Sequence, residues 1–247
     1  MKFTTPLSSG RFLQRYKRFF ADIEFEGQIV TAHVANTGSM KSCSEPNSPC
    51  FFSTSANKER KLPFTLEMIQ ASSGAWVGVN TAIPNRIVRE GLEQKLFPWW
   101  EGFDEIKAEY KISPESRLDF ALTKGPNREN PEFIHFIEVK NVTLAIEKEI
   151  NGTLCRVAQF PDAVSERGQK HLKDLIRLKS RGHSAEIVFT IQRDDVSFFE
   201  SADEIDPAYG ELLREAWRQG VRVTPVIIAV SPQKIEMTRK VLEYRHS

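Results

Sequence analysis

The chain has 247 residues, of which 40% are hydrophobic and 27% charged, and its formal net charge is only +1. This composition is ordinary for a globular protein of one large or two modest domains, and it excludes a wholesale polycation and a low-complexity chain. The longest apolar run, residues 223–230, is far too short to cross a bilayer, so we expect no membrane partner.

The cysteines and the N-terminal segment indicate a reduced, cytoplasmic protein. Cys43, Cys50 and Cys155 cannot all pair with one another, and their spacing does not match a zinc site. The N-terminal segment has no apolar region of the kind that marks secretion. Free cysteines are typical of a reducing compartment.

Residues 1–80 are predicted to form an all-β domain. Residues 19–26 alternate between apolar and acidic side chains, Glu26-Gly27 suits a hairpin turn, and residues 28–36 return as a second strand. Three more short strands are predicted, at residues 50–54, 64–70 and 75–80. Five short strands fit a five-stranded barrel of the oligonucleotide-binding (OB) type, although an open sandwich would also fit.

The first 20 residues carry five cations and no acid. Several of these cations alternate with aromatic side chains, a mixture that suits a polyanion whose bases can stack. The alternative is a solvated basic segment whose aromatic residues begin the core. The candidate DNA contacts of this segment are Arg11, Arg15, Lys17 and Arg18.

Residues 81–247 are predicted to mix helices and strands. Helices are predicted at residues 83–97, about 163–180 and about 207–219, with strands at 103–112, 116–122, 133–144, 184–192 and 221–230 and a final amphipathic segment. This order predicts a mixed sheet flanked by helices. The whole chain is therefore expected to be a two-domain protein of the α+β or α/β class.

Two acids and a lysine interrupt the apolar strands of this second domain. Glu138 and Lys140 are two residues apart and share one face of their strand. If this strand pairs with the preceding one across the loop 123–132, Asp119 lies beside Glu138. Two adjacent carboxylates in a sheet repel each other, and a divalent cation such as magnesium removes the repulsion.

A lysine next to such a site could stabilise the charge on an attacked phosphate group, as a phosphodiester nuclease requires. The Glu-x-Lys pattern alone recurs four more times in the chain, so the apolar setting is what distinguishes this copy. The alternative is a structural ion network, but buried networks rarely add stability, and perturbed groups cluster at functional sites.

Four more residues are candidates on local grounds. Arg167, Lys170 and His171 lie early in the helix at about 163–180 and are predicted to contact phosphate groups; a solvated basic face is the alternative. Gln192 ends a strand and is a candidate polar neighbour of the site, or simply the end of that strand.

The order RLD (117–119) then EVK (138–140) resembles the PD-(D/E)xK nuclease superfamily, with Leu118 in place of the nominal proline. Nearly the whole chain also resembles the sugar fermentation stimulation protein A family of bacteria and archaea. The matching segments are RYKRF (15–19), AHVANTGSM (32–40), SRLDF (116–120), EVKNVTL (138–144) and FPDAVSERGQKHL (160–172).

These resemblances imply an OB-type barrel at residues 1–80 and a nuclease-like domain at residues 81–247. The family is described as binding DNA without sequence preference and as a regulator of maltose metabolism. The superfamily pattern implies Asp119 and Glu138 as ligands of Mg²⁺ or Mn²⁺ and Lys140 as the catalytic lysine of an endo- or exonuclease. It also implies an acid from the preceding helix, for which Glu90 is the candidate.

Three functions follow in order of preference. The first is a DNA-binding protein, for single or double strands, with a magnesium-dependent phosphodiesterase site in its second domain. The second is a non-enzymatic DNA-binding regulator whose acids are vestigial. The third and weakest is an RNA-binding or RNA-processing role, because a barrel suits single strands of either kind. The sequence carries no signal for an oligomeric state.

Overall fold

The computed structural model describes residues 1–124 and 133–246. The helices and strands of this described chain, in order, are β1 Ser8–Tyr16, β2 Phe20–Phe25, β3 Gln28–His33, β4 Pro49–Thr54, β5 Phe64–Gln70, β6 Trp76–Gly78, α1 Pro84–Glu93, β7 Glu105–Ser113, β8 Ser116–Thr123, β9 Ile134–Val142, β10 Ala145–Ile150, β11 Thr153–Phe160, α2 Glu166–Ser180, β12 Ser184–Ile191, β13 Phe198–Ser201, α3 Pro207–Arg218, β14 Arg222–Val230 and β15 Ile235–Val241. No helix in these residues is long and apolar enough to span a membrane.

The N-terminal strands form a closed barrel, as predicted. Their order is β3-β2-β1-β4-β5-β6, and an additional pairing between β3 and β5 closes the ring. The five strands of the ring include β1, which the sequence did not predict, whereas β6 is a short addition beside β5. Phe12 is the only fully buried residue of β1. The alternation of apolar and polar residues in this segment is therefore too weak to predict a strand.

Two tight turns connect consecutive strands of this barrel. The predicted turn at Glu26-Gly27 is confirmed, with φ angles of 52° and 75° that match the twist of the flanking strands. A second turn of this kind, Lys17-Arg18, joins β1 to β2 with φ angles of 47° and 63°.

The C-terminal domain contains the predicted mixed sheet flanked by helices. Its six strands have the order β15-β14-β12-β9-β8-β7, in which β9, β12 and β14 are parallel. Helix α1 packs on one face of the sheet, and α2 and α3 pack on the other. The final amphipathic segment is strand β15, and a three-stranded sheet, β10-β11-β13, was not predicted.

Strand β9 is the centre of this domain. It pairs with β8 on one side and with β12 on the other, and every side chain from Ile134 to Val139 is buried. Alternate residues pack against the two helical layers, with Ile137 and Val139 facing α1 and Phe136 and Val142 facing α2 and α3. Any polar group on β9 is therefore inside the protein unless it lies near the end of the strand.

The barrel packs directly against the second domain. The backbone N–H of Gly78 donates to the carbonyl of Gln192 at 3.0 Å, and a Cβ atom at Gly78 would lie 2.3 Å from Gln192 Oε1. The backbone N–H of Ser39 donates to Asp162 Oδ2 at 2.7 Å. Glycine at position 78 is thus required by the close approach of the two domains.

Candidate functional site

Strands β8 and β9 form the hairpin that brings the two predicted acids together. Their pairing runs from Thr123↔Ile134 to Phe120↔Ile137. Extending this register by one step places Asp119 opposite Glu138, as the sequence predicted. Residues 125–132 of the predicted connecting loop lie outside the described residues.

Asp119 occupies the point where the ladder between β8 and β9 ends. Its Oδ2 atom accepts a hydrogen bond from the backbone N–H of Val139 at 2.7 Å. Its Oδ1 atom accepts one from the Asn85 side chain, in the first turn of α1, at 2.7 Å. The carboxylate thus tethers α1 to β9, a role for Asn85 that no signal in the sequence indicated.

Glu138 is almost completely buried, and its two oxygens differ in their surroundings. Oε1 accepts a hydrogen bond from Lys140 Nζ at 2.5 Å and contacts Nδ1 of His171. Oε2 is buried and has no hydrogen-bond partner in the described part of the chain. An unsatisfied buried carboxylate oxygen is costly, and Oε2 thus retains acceptor capacity that no described group uses.

The two acids have opposite pKa shifts. Burial, and then the negative charge of Glu138, raise the pKa of Asp119 to about 6, against the hydrogen bonds from Val139 and Asn85. Burial would also raise the pKa of Glu138, but the charge of Lys140 and the contact with His171 lower it below the ordinary value. The cation and hydrogen-bond donors beside Glu138 thus outweigh its burial, whereas burial and repulsion from Glu138 dominate at Asp119.

The donor set fits a hard divalent cation that needs few protein ligands. Magnesium accepts one or two carboxylates and retains several waters, so two adjacent acids with one free oxygen suffice. The residues that the structure describes contain no group of three His, Cys, Asp or Glu side chains arranged to hold a metal ion. Asp119 and Glu138 are carboxylates, the type of ligand that Mg²⁺ and Mn²⁺ accept in small numbers.

His171 does not have the position predicted for it. The sequence grouped it with Arg167 and Lys170 as a phosphate contact, but only 5% of its surface is exposed, and its ring contacts Glu138 and Lys140. Arg167 and Lys170 are exposed, and Lys170 Nζ donates to the carbonyl of Glu115 at 3.0 Å.

A cleft of about 430 Å³ lies beside these residues, between the start of α2 and the turn that joins β7 to β8. Its charged lining consists of the cations Arg117, Arg167 and Lys170 and the acids Glu109 and Glu115, and His171 also lines it. The cations of this cleft therefore lie close to the acid pair, because His171 contacts Glu138 and lines the cleft as well.

Glu90 and Gln192 have other partners. Glu90 Oε2 lies 2.6 Å from the N-terminal amine of Met1, which in turn donates to the carbonyl of Ile235 on the edge strand β15. Helix α1 instead presents Asn85 to Asp119. The Gln192 side chain donates to Asn141 Oδ1 at 3.0 Å and lies at the contact with the barrel, so it belongs to the domain interface.

The four cations of the barrel that were predicted to contact DNA differ in burial: one is half-buried and three are exposed. Arg15 donates to the carbonyls of Arg18, Asn36 and Gly38, at 2.8, 2.6 and 2.8 Å. Burial lowers the pKa of Arg15. Arg15 thus holds the loop after β3 in place, and its contact with DNA stays a prediction. Arg11, Lys17 and Arg18 are exposed, and Arg11 lies 3.7 Å from Glu24.

A second buried acid, Glu186 on β12, was missed by the sequence analysis. Its carboxylate accepts hydrogen bonds from Trp99, Trp100 and Thr224, and it lies 2.9 Å from His135 Nε2. An acid inside an apolar strand was the available signal, as it was for Glu138. The two sites differ because both oxygens of Glu186 are hydrogen-bonded, so this acid has a structural role.

Comparisons with known proteins place this chain in a family. Residues 82–234 match the family model described as the sugar fermentation stimulation protein RE domain, and residues 13–79 match the SfsA N-terminal OB domain. The chain is 57% identical to a sugar fermentation stimulation protein homolog of Bdellovibrio bacteriovorus, over 98% of each chain. It is 44% identical to the homolog of Geotalea uraniireducens, over 97% of this chain and 98% of that one.

A solved structure is also similar to this chain. It is that of SfsA from Pyrococcus furiosus in complex with Ca²⁺, with a TM-score of 0.83 and 28% sequence identity. The match covers 99% of this chain and 98% of that one.

Proposed function

The chain belongs to the sugar fermentation stimulation protein family. We propose that it is a divalent-metal-dependent nuclease that binds DNA without sequence preference. The observation that carries the proposal is the juxtaposition of Asp119 and Glu138 with Lys140, in which Glu138 Oε2 has no partner among the described residues. An OB domain beside a restriction-endonuclease-like domain suits a protein that grips and cuts a nucleic acid strand.

In this proposal Asp119 and Glu138 hold Mg²⁺ or Mn²⁺. When bound, such an ion lowers the pKa of water and neutralises charge on a phosphate group. The Ca²⁺ complex of the Pyrococcus furiosus relative supports the choice of a hard divalent cation.

Lys140 supplies the positive charge that stabilises the transition state. Its ammonium group is partly buried beside Glu138, where the low dielectric strengthens its interaction with a phosphate oxygen. Arg117, Arg167 and Lys170 line the neighbouring cleft and would hold the flanking phosphate groups.

The proposal is tested by incubating labelled single-stranded, duplex and branched DNA with the protein and Mn²⁺ or Mg²⁺. We expect cutting by the wild type and a loss of at least about 100-fold in Lys140→Ala, because one preorganised electrostatic contact is worth that much. Lys111→Ala is the matched control, since it alters an exposed Glu-x-Lys pair on the edge strand β7. Equal cutting by Lys140→Ala and the wild type would refute the assignment.

A second function, a DNA-binding regulator of sugar metabolism with vestigial acids, is favoured by a different observation. Lys140 and His171 both contact one oxygen of Glu138 and already compensate its charge without a metal. If the wild type binds DNA but neither binds Mn²⁺ in calorimetry nor cuts any of the three substrates, the regulator is the correct function.

A further inference from the structure

His171 and Lys140 approach the same oxygen of Glu138. His171 Nδ1 contacts Oε1, and Lys140 Nζ lies 2.5 Å from Oε1 and 3.5 Å from Nδ1. An ionised carboxylate can only accept hydrogen bonds, so Nδ1 must carry a hydrogen and donate it to Glu138. Lysine is also only a donor, so two donors converge on one acceptor.

This arrangement leaves the second oxygen of Glu138 available. Oε2 has no partner in residues 1–124 and 133–246, whereas Oε1 has two. Two donors from different elements, strand β9 and helix α2, restrict rotation of the carboxylate about its terminal bond. The carboxylate is therefore fixed in one orientation before any cation binds, which reduces the cost of binding.

Contacts on both sides of His171 fix helix α2 relative to the sheet. Ser116 Oγ donates to Asp174 Oδ2 at 2.6 Å, and Lys170 Nζ donates to the Glu115 carbonyl at 3.0 Å. Gly168 packs so closely on α3 that a Cβ atom there would lie 3.0 Å from the ring of Tyr209. Helix α2 thus holds the imidazole ring of His171 in a fixed position next to β9.

We propose that His171 is a positioning residue that orients Glu138 for metal binding through its Nδ1–H group. The inference rests on the proposed function, because it assigns His171 to the same metal site. It replaces the predicted phosphate contact with a role inside the protein. Residues that orient metal ligands in this way typically contribute about 10- to 100-fold to metal affinity.

The test compares Mn²⁺ affinity, measured by calorimetry, among variants of the full chain. Asparagine places its amide nitrogen near the position of Nδ1, whereas glutamine places it near Nε2. We expect His171→Asn to bind Mn²⁺ within about 3-fold of the wild type, and His171→Gln and His171→Leu to bind about 10- to 100-fold more weakly. If His171→Leu unfolds, the comparison of asparagine with glutamine still decides the question.

His135→Leu is the matched control. It removes a histidine that is as buried as His171 and that contacts another carboxylate, Glu186, on the same sheet. A loss of stability without a loss of Mn²⁺ affinity is expected in this control. Equal weakening of Mn²⁺ binding in both leucine variants would mean that His171 acts only through general stability, and would overturn the inference.

A metal-independent measurement separates this inference from the proposed function. In ¹⁵N NMR spectra of the metal-free protein, His171 Nδ1 should be protonated, with its proton shifted to low field by Glu138. A proton on Nε2 alone would overturn the inference even if the protein binds metal. If the wild type binds no Mn²⁺, the metal function itself fails, and the positioning role fails with it.

Discussion

Replacement of Asp119 by asparagine should stabilise the metal-free protein at neutral pH. The pKa of Asp119 is raised to about 6 by burial and by the charge of Glu138, whereas an aspartate in the unfolded chain has a pKa of about 3.9. The folded protein therefore holds this proton more tightly, and its stability falls as the pH rises between these two values. A shift of about 2 pKa units corresponds to about 3 kcal/mol at neutral pH.

The substitution also has a cost that does not depend on pH. Asparagine has a single side-chain oxygen, so it cannot accept the hydrogen bonds from both Val139 and Asn85. The loss of one of these bonds lowers the free energy of unfolding by about 1 kcal/mol. The net gain at neutral pH is then about 2 kcal/mol. Because the hydrogen-bond loss is equal at each pH, the advantage of Asp119→Asn over the wild type should itself grow by about 2 kcal/mol from about pH 4 to about pH 7.

The assay is urea unfolding of the wild type and Asp119→Asn, at both pH values, in the presence of a chelator. Glu109→Gln is the control, because it removes an exposed acid from the neighbouring strand and should change stability by less than about 0.5 kcal/mol. A constant difference between Asp119→Asn and the wild type across this pH range would mean that the pKa of Asp119 is not raised by folding. A less stable Asp119→Asn protein at neutral pH would contradict the expected net gain.

Three further predictions concern other parts of the molecule. Lys140→Ala should bind Mn²⁺ at least as tightly as the wild type in calorimetry, because the loss of a competing cation outweighs the loss of one donor while His171 still orients Glu138; weaker binding would contradict this. Arg18→Glu should weaken DNA binding and reduce its salt dependence in fluorescence titrations, with an unchanged melting temperature. Arg15→Ala should lower the melting temperature, because the carbonyl contacts of Arg15 are lost. A lower melting temperature in Arg18→Glu and an unchanged one in Arg15→Ala would contradict these assignments. Glu186→Gln should lower the free energy of unfolding by about 3 to 5 kcal/mol with unchanged Mn²⁺ affinity, and a loss below about 1 kcal/mol would show that its network is unimportant.

The sequence predicted the acid pair because local rules were sufficient. Strand alternation placed Glu138 and Lys140 on one face, and hairpin pairing of consecutive strands placed Asp119 next to them. Both rules act over short distances along the chain. The partners that come from distant elements, Asn85 and His171, followed from no such rule.

Two errors had signals that could have prevented them. His171 lies four residues before Leu175 and seven before Leu178, which is the spacing of the buried stripe of α2 rather than of its basic face. Asn151-Gly152, with φ angles of 51° and 76°, is a strong hairpin signal, and it joins the unpredicted strands β10 and β11.

Glu90 illustrates what a helical pattern cannot provide. Its position at the edge of the apolar face of α1 is compatible with several directions, and the contact with Met1 depends on where the N-terminal segment packs. That segment pairs with residues near β15, more than 200 positions away in the sequence. Such a contact is set by the tertiary fold and not by the helix that bears the acid.

The most direct measurement of the central claim is anomalous diffraction from crystals of this protein soaked in Mn²⁺. We expect a manganese peak between Asp119 and Glu138, within coordination distance of the free oxygen Oε2, and no peak there in Glu138→Gln crystals. A wild-type map without density between the two acids, in crystals that bind manganese elsewhere, would rule out a metal site at this pair.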